Sequence, residues 1–325
     1  MNALPGRACP LDYRYGAAAV AGAPTFEAET LYVVGGLYGN LAALDEIERM
    51  AADEAGPVTI LFNGDFNWFN VGNAGFAEIN RRVLAHRATA GNVEAELVRA
   101  DAEAGCGCAY PASVDQATVE RSNAIHARLC ETALRHPGIL ARLAALPRLG
   151  RCRVGRATVG IVHGDAESLA GWDFDIAALD RHGVADALAA QFHAAAVDVF
   201  ACSHTCLPVF RQVPSRHGPG LIANTGAAGM PNFRGARHGV ITRVSQHPSP
   251  TRPLYGTRVA DANVDALAVR YDHARFAAEF VADWPAGSPA HLSYWQRIAD
   301  GPQHDIECAA PRLAGAFAGA ACAST

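Results

Sequence analysis

The sequence predicts an α/β protein with helices on the faces of its sheet, and three observations carry that prediction. Short apolar, β-branched runs recur along the chain, each stopped by a small or polar residue. Segments with apolar residues at helical spacing lie between those runs, the alternation expected of strands and helices in one sheet-based fold. Half of the 325 residues are hydrophobic, enough to bury a large core in one large domain or two small ones.

In chain order, the first 30 residues, rich in Ala, Gly and Pro, read as an irregular lead-in. LYVV (31–34) is a strand ending at Gly35 and Gly36, and Asn40 caps a helix whose inner face carries Leu41, Leu44 and Ile47. VTILF (58–62) is a strand ending at Asn63, Gly64 and Asp65; Phe76, Ile79, Val83 and Leu84 mark a second helix. Residues 113–146 carry a longer helical pattern (Val119, Leu129, Ala133, Leu134), broken at Pro137 and stopped at Pro147, within an insertion spanning about 105–147 that covers the sheet or caps its cleft. ATVGIV (157–162) ends at His163 and VDVFAC (197–202) at Ser203 and His204, completing a domain over 31–247. From 248 to 312, Pro248, Pro250 and Pro253 precede Tyr255, Tyr271, Phe276, Phe280, Trp284 and Trp295, an aromatic extension packed on the core. Leu313 to Thr325, rich in Ala and Gly, reads as a frayed tail.

Composition narrows the function. All 27 basic residues are Arg, and the missing lysine excludes a Schiff-base enzyme and a P-loop. A net charge of −5 with scattered Arg argues against a nucleic-acid scaffold. Nine cysteines, an odd number without a secretory leader, and the lack of an 18-residue apolar run predict a cytoplasmic protein with reduced thiols and no membrane association.

Ligands of such sheets gather beyond the carboxyl ends of the strands. Asp65, Asn92, His163 and His204 each sit at the end of a predicted run or just after one. One carboxylate, one amide oxygen and two imidazoles suit a divalent Mn, Fe or Zn with a position open to water. Each residue also has an ordinary reading: buried structural histidines, a helix cap at Asp65, a turn at Asn92.

Gly64-Asp65, Gly91-Asn92, His163-Gly164-Asp165 and Ser203-His204-Thr205-Cys206, taken in order, resemble the motifs of the calcineurin-like metallophosphoesterase superfamily. LYGNLAAL (37–44) resembles its first motif, and NTGAAGMP (224–231) the turn after the last metal motif in its small bacterial and archaeal phosphodiesterases. The resemblance spans about 31–245 and implies a four-layer α/β/β/α sandwich of two mixed sheets. It also implies a metal-dependent hydrolase of a small phosphoester, either a nucleotide-like diester or a specialised monoester, working by attack of metal-activated hydroxide in line at phosphorus.

In that family one metal is held by an Asp and a His of the first motif, a bridging Asp and a final His. Those positions here are Gly36, Tyr38, Asp65 and Cys206. The second metal's ligands are present in full as Asp65, Asn92, His163 and His204. One metal site is therefore well made and the other is either lost or rebuilt from a Tyr38 phenolate and a Cys206 thiolate. The leaving-group His of the family is Val93. Catalysis is expected to rest on Asn92 and His163, with Tyr38 donating a hydrogen bond to an anionic oxygen. Two other readings stay open: a relative that kept the pocket and lost the chemistry, and a mononuclear enzyme of iron or another metal with non-phosphoryl chemistry.

Three further groups stand out. Cys106 and Cys108 in GCGC read as a loop with reduced thiols. Arg121, Asn123 and His126 lie within about one helical turn and suit an anion-binding lid, set against a solvated helix face. Gly235, Arg237 and His238 follow a turn and either reach substrate or form a surface loop.

Overall fold

The structure, a computed structural model, describes residues 4–7, 9–99, 104–214 and 218–316. The described residues form the strands β1 (Thr25–Glu27), β2 (Thr30–Val34), β3 (Val58–Asn63), β4 (Arg87–Thr89), β5 (Leu149–Val154), β6 (Ala157–Val162), β7 (Val199–Cys202), β8 (Val209–Val213), β9 (Gly220–Asn224), β10 (Gly239–Ser245), β11 (Tyr255–Val259), β12 (Ala262–Val269) and β13 (Arg312–Leu313). They make two sheets, ordered β1-β5-β6-β7-β9-β8-β13 and β11-β12-β10-β2-β3-β4. The first is parallel through β6-β7-β9, antiparallel at β5-β6 and β8-β9 and parallel again at its two edges; the second is parallel through β2-β3-β4, which runs to one edge, and antiparallel through β2-β10-β12-β11, so both are mixed.

Alternation of side chains across each strand builds the layers. Leu31 and Val33 of β2 meet Val159, Ile161, Val199 and Phe210 between the sheets. Tyr32 and Val34 point the other way, under the helix Leu41–Ala52 with its Leu44 and Ile47. On the opposite outer face Phe200, Cys202 and Ile222 lie beneath Leu188 and Phe192 of the helix Ala185–Ala195. Strands covered on both faces are apolar at nearly every position, as their sequences are. The result is the four-layer sandwich.

The helices follow their sequence signals. Asn40 Oδ1 accepts from the Ala43 amide at 2.9 Å, capping Leu41–Ala52. Phe76, Ile79 and Val83 are buried on Asn73–Val83, which stops one residue short of Leu84. The insertion forms Gln116–Ala133, capped by Asp115, and Pro137–Ala144, whose Pro137 begins a new helix and so breaks the pattern there. No described helix is long and apolar enough to cross a membrane.

Four sequence expectations change. The lead-in is ordered: Ala17–Ala21 is helical, and β1 pairs in parallel with β5. The aromatic stretch from 248 is more than an appendage, because β12 pairs along its whole length with β10 and β11 extends that sheet. Arg312 and Leu313 pair with β8, so order persists to Ala316, while the rest of the expected tail lies outside the described residues. Cys9, Cys106, Cys108, Cys130, Cys152, Cys202 and Cys206 are free thiols, but Cys308 is disulfide-bonded. A cysteine count contains no distances, so it could not separate these two classes.

Two arginines are fully buried and paired. Arg243 on β10 grips Glu54 with two hydrogen bonds, Nε to Oε1 at 2.6 Å and Nη2 to Oε2 at 2.9 Å. Arg211 on β8 does the same with Asp180, at 2.6 and 3.0 Å.

Candidate metal centre

The carboxyl ends of β3, β6 and β7 deliver Asp65, His163 and His204 to one place, and Asn92 arrives as the first residue of the helix Asn92–Arg99. All four are buried. One ligand atom from each of Asp65, His163 and His204 lies within 4.8 Å of the others. His163 Nε2 is 3.3 Å from Asp65 Oδ2, 3.1 Å from Asn92 Oδ1 and 3.3 Å from His204 Nδ1. Donors held at 2.0–2.1 Å by a tetrahedral cation lie about 3.3 Å from one another, so these spacings fit a single ion.

The atoms around the group decide which way each lone pair points. His163 Nδ1 is 2.9 Å from the Asn63 carbonyl, which only accepts, so Nδ1 carries the proton and Nε2 is left to face the centre. Ser203 Oγ donates to the same carbonyl at 2.9 Å. His204 Nε2 donates to the Cys108 carbonyl at 3.0 Å, which turns its Nδ1 inward. Asn92 Nδ2 donates to the Cys106 carbonyl at 2.9 Å, which turns Oδ1 inward. A carboxylate oxygen, an amide oxygen and two imine nitrogens therefore converge with no hydrogen of their own to share. A proton on His163 or a metal cation resolves that repulsion, and the two compete for the same lone pairs.

The electrostatics express this competition. Burial disfavours a charged His163 ring, but the nearby Asp65 carboxylate outweighs it and raises the histidine above its usual value. His204, buried and facing His163, is pushed down to about 4. Burial acts to raise Asp65, yet the two histidines and the Val93 amide hold it below the usual carboxylate range.

Glu94 is a residue the sequence reading missed. Its Oε2 accepts from the Asp65 amide at 2.7 Å and the Gly91 amide at 3.2 Å, and burial beside Asp65 pushes it up to about 7. It stands three residues after Gly91, so a capping-box pattern was the available signal. Gly91 itself permits no side chain: a Cβ there would lie 2.3 Å from Asp65 Oδ1.

The place of the expected first-motif ligands, Gly36 and Tyr38, is filled differently. Gly36 has φ +49°, and a Cβ on it would lie 2.7 Å from Tyr38 Cζ and 2.8 Å from Tyr38 Oη, so the phenol ring occupies the space of a residue-36 side chain. Tyr38 Oη and Cys206 Sγ are 2.8 Å apart and hydrogen-bonded to each other. Burial raises both above their ordinary values, and the negative charge of Asp65 adds to it, so phenol and thiol keep their protons. Cys206 falls outside the Asp65–His163–His204 group. Tyr38, Asp65 and Cys206 all hold left-handed backbone, with φ of +53°, +52° and +63°, strain that the surrounding packing must sustain. The turn at 224–231 helps: the amides of Ala228 and Gly229 donate to the carbonyls of Gly35 and Gly36 at 2.8 and 3.0 Å.

Beside the centre lies a recess lined among others by Asp65, His204, Tyr38, Trp68, Tyr110, Trp172 and Tyr294. Val93 is in its wall. Cys106 and Cys108 contribute backbone carbonyls rather than thiol chemistry. Arg121, Asn123 and His126 do not form an anion site: Arg121 donates to Ser293 and Thr118, Asn123 bonds Pro5 and Cys106, and His126 is buried. Gly235, Arg237 and His238 lie outside the recess lining.

No protein-family model matches the chain, and no curated protein matches it. Solved structures do. A metallophosphoesterase from Sphaerobacter thermophilus is similar over 84% of this chain and 99% of its own, with 18% identity and a TM-score of 0.52. A hypothetical protein from Pyrococcus horikoshii OT3 is similar over 82% of this chain and 98% of its own, with 13% identity and a TM-score of 0.54. Two mixed sheets between helices, matched over nearly the full length of a metallophosphoesterase, give this chain the calcineurin-like metallophosphoesterase fold.

Proposed function

We propose that the chain is a metal-dependent phosphoester hydrolase working at one metal position, held by Asp65, Asn92, His163 and His204. The observation that carries the reading is the convergence of four lone-pair donors, each aimed by its own hydrogen bond or capping contact and none able to donate to the others. A divalent ion there supplies Lewis-acid polarisation of a phosphoryl oxygen and acidifies water. The mixed oxygen and nitrogen set suits Mn, Fe or Zn.

The chain's own residues do the rest. Asn63 and Ser203 fix the His163 tautomer, and the Cys106 and Cys108 carbonyls fix Asn92 and His204. Tyr38 keeps its phenolic proton, which is directed at Cys206 Sγ 2.8 Å away because the Cys206 thiol donates to the His204 carbonyl; the phenol would give up that bond to donate to an anionic oxygen in the recess its ring lines. The substrate is a small phosphoester.

The test is hydrolysis of bis-p-nitrophenyl phosphate by the Mn²⁺-loaded chain and by His204→Ala. Activity should fall to background in the variant; activity that survives refutes the reading. The neutral Tyr38–Cys206 pair at the other position favours one second reading, a metal-binding relative without hydrolysis. Bound metal with no turnover of any phosphoester would select it.

A further inference from the structure

Resting on the hydrolase reading, the geometry points to a substrate class: we propose that the recess selects monoanionic phosphodiesters bearing a flat aromatic group over dianionic phosphomonoesters. Two independent features of the lining carry this.

The first is chemical texture. Trp68, Tyr110, Trp172 and Tyr294 line the recess. Trp172 Nε1 donates to the Cys108 carbonyl at 3.0 Å and Tyr110 Oη is hydrogen-bonded to Ser122 Oγ at 3.0 Å, so what these two offer a ligand is chiefly ring carbon. Tyr110 and Trp172 sit 5.7 Å apart at 46°, and Trp172 stands edge-on to His204 at 5.4 Å, so this aromatic surface begins at the metal ligands themselves. A flat π-faced group on the ester would stack there.

The second feature is charge. Sites for dianionic phosphate ordinarily add Arg or Lys clamps to the metal. The chain has no lysine, and among the described residues no arginine lines this recess. Arg297 comes nearest through Cys206, but its Nη2 donates to the Cys206 carbonyl and its Nε to the Pro231 carbonyl, both at 2.8 Å. Asp65 is the carboxylate among the described lining residues, and the Glu94 carboxyl lies just behind it, its Oε2 accepting from the Asp65 amide at 2.7 Å. A divalent ion beside these carboxyl groups would have at most one unit of positive charge left for a ligand. A diester monoanion needs no more than that, whereas a monoester dianion leaves at least one uncompensated negative charge against aromatic walls, where it is poorly solvated.

The experiment titrates the Mn²⁺-loaded full chain with diphenyl phosphate, dimethyl phosphate, phenyl phosphate and inorganic phosphate at pH 8. Calorimetry and tryptophan fluorescence report binding apart from turnover. Diphenyl phosphate should bind about tenfold or more tighter than each of the other three. Trp172→Ala should weaken diphenyl phosphate about tenfold more than it weakens dimethyl phosphate. Thr205→Arg, which adds the missing cation to the lining, should strengthen phenyl phosphate about tenfold and narrow the gap; it keeps the test decisive if Trp172→Ala does not fold. Phenyl or inorganic phosphate binding as tightly as diphenyl phosphate, or diphenyl no tighter than dimethyl, overturns the inference. If p-nitrophenyl esters are hydrolysed with that opposite ranking, only the selectivity falls. If the metal-loaded chain binds and hydrolyses none of them, the hydrolase reading falls with it.

Discussion

Replacing Gly36 by Ala tests the account of the missing first metal position. Its new Cβ would meet Tyr38 at 2.7 Å from Cζ, 2.8 Å from Oη and 2.9 Å from Cε2, all inside carbon contact distance. The ring cannot yield freely, since it packs at 5.6 Å against Phe69 and is bonded to Cys206. Overpacking of this kind costs about 1–3 kcal/mol. The left-handed φ of +49° adds about 1–2 kcal/mol for any residue with a Cβ, giving about 2–5 kcal/mol in all. Tyr38→Ala removes the overlap but leaves the backbone term, so a double-mutant cycle isolates the clash. Urea unfolding of parent, Gly36→Ala, Tyr38→Ala and the double variant should show the double variant more stable than the sum of the singles predicts, by about 1–3 kcal/mol. Additivity within about 0.5 kcal/mol would mean that the phenol ring does not stand in the residue-36 space, and the explanation for the lost site would fail.

Glu94→Ala leaves the buried Asp65 and Gly91 amides without their acceptor. It should destabilise the fold by about 2–4 kcal/mol in urea titrations and weaken metal binding about 10–100-fold in competition with a chelator. Unchanged metal affinity would remove Glu94 from the support of the site. Arg243→Met strands Glu54 beside a buried gap and should cost about 3–5 kcal/mol, read by the same unfolding assay. Burial acts to raise Glu54, but hydrogen bonds from Arg243 and Tyr32 and the Arg243 charge hold it below its ordinary 4.5. The sign follows: the pair's contribution is complete above pH 4.5 and is lost as pH falls through the lower folded value. Parent and Arg243→Met should therefore converge in stability in acid, and a constant difference from pH 7 to pH 3 would contradict this.

Much of the architecture was legible because buried strands announce themselves as short apolar runs with abrupt polar ends. LYVV, VTILF and ATVGIV fall within β2, β3 and β6, and VDVFAC overlaps β7, so Asp65, His163 and His204 could be placed at one rim before their distances were known. Asn40 and Pro137 acted locally, as a cap and a helix start, and local chemistry is visible in sequence. What stayed hidden depends on partners far along the chain. β1 and β13 are too short for periodicity and exist because β5 and β8 offer open edges. The aiming of Asn92 and His204 comes from carbonyls of Cys106 and Cys108, and a carbonyl has no residue signature. Tyr38 at a ligand position read equally well as a metal ligand or a filler, and only the geometry at Gly36 separates the two.

The central claim is that one cation sits among Asp65, Asn92, His163 and His204. Crystals of the protein grown with Mn²⁺, with anomalous scattering measured at the manganese edge, test it most directly. The account predicts a single peak per chain within about 2.0–2.5 Å of those four side chains. A peak between Tyr38 and Cys206, or no peak at the four residues in Mn²⁺-saturated crystals, would contradict it.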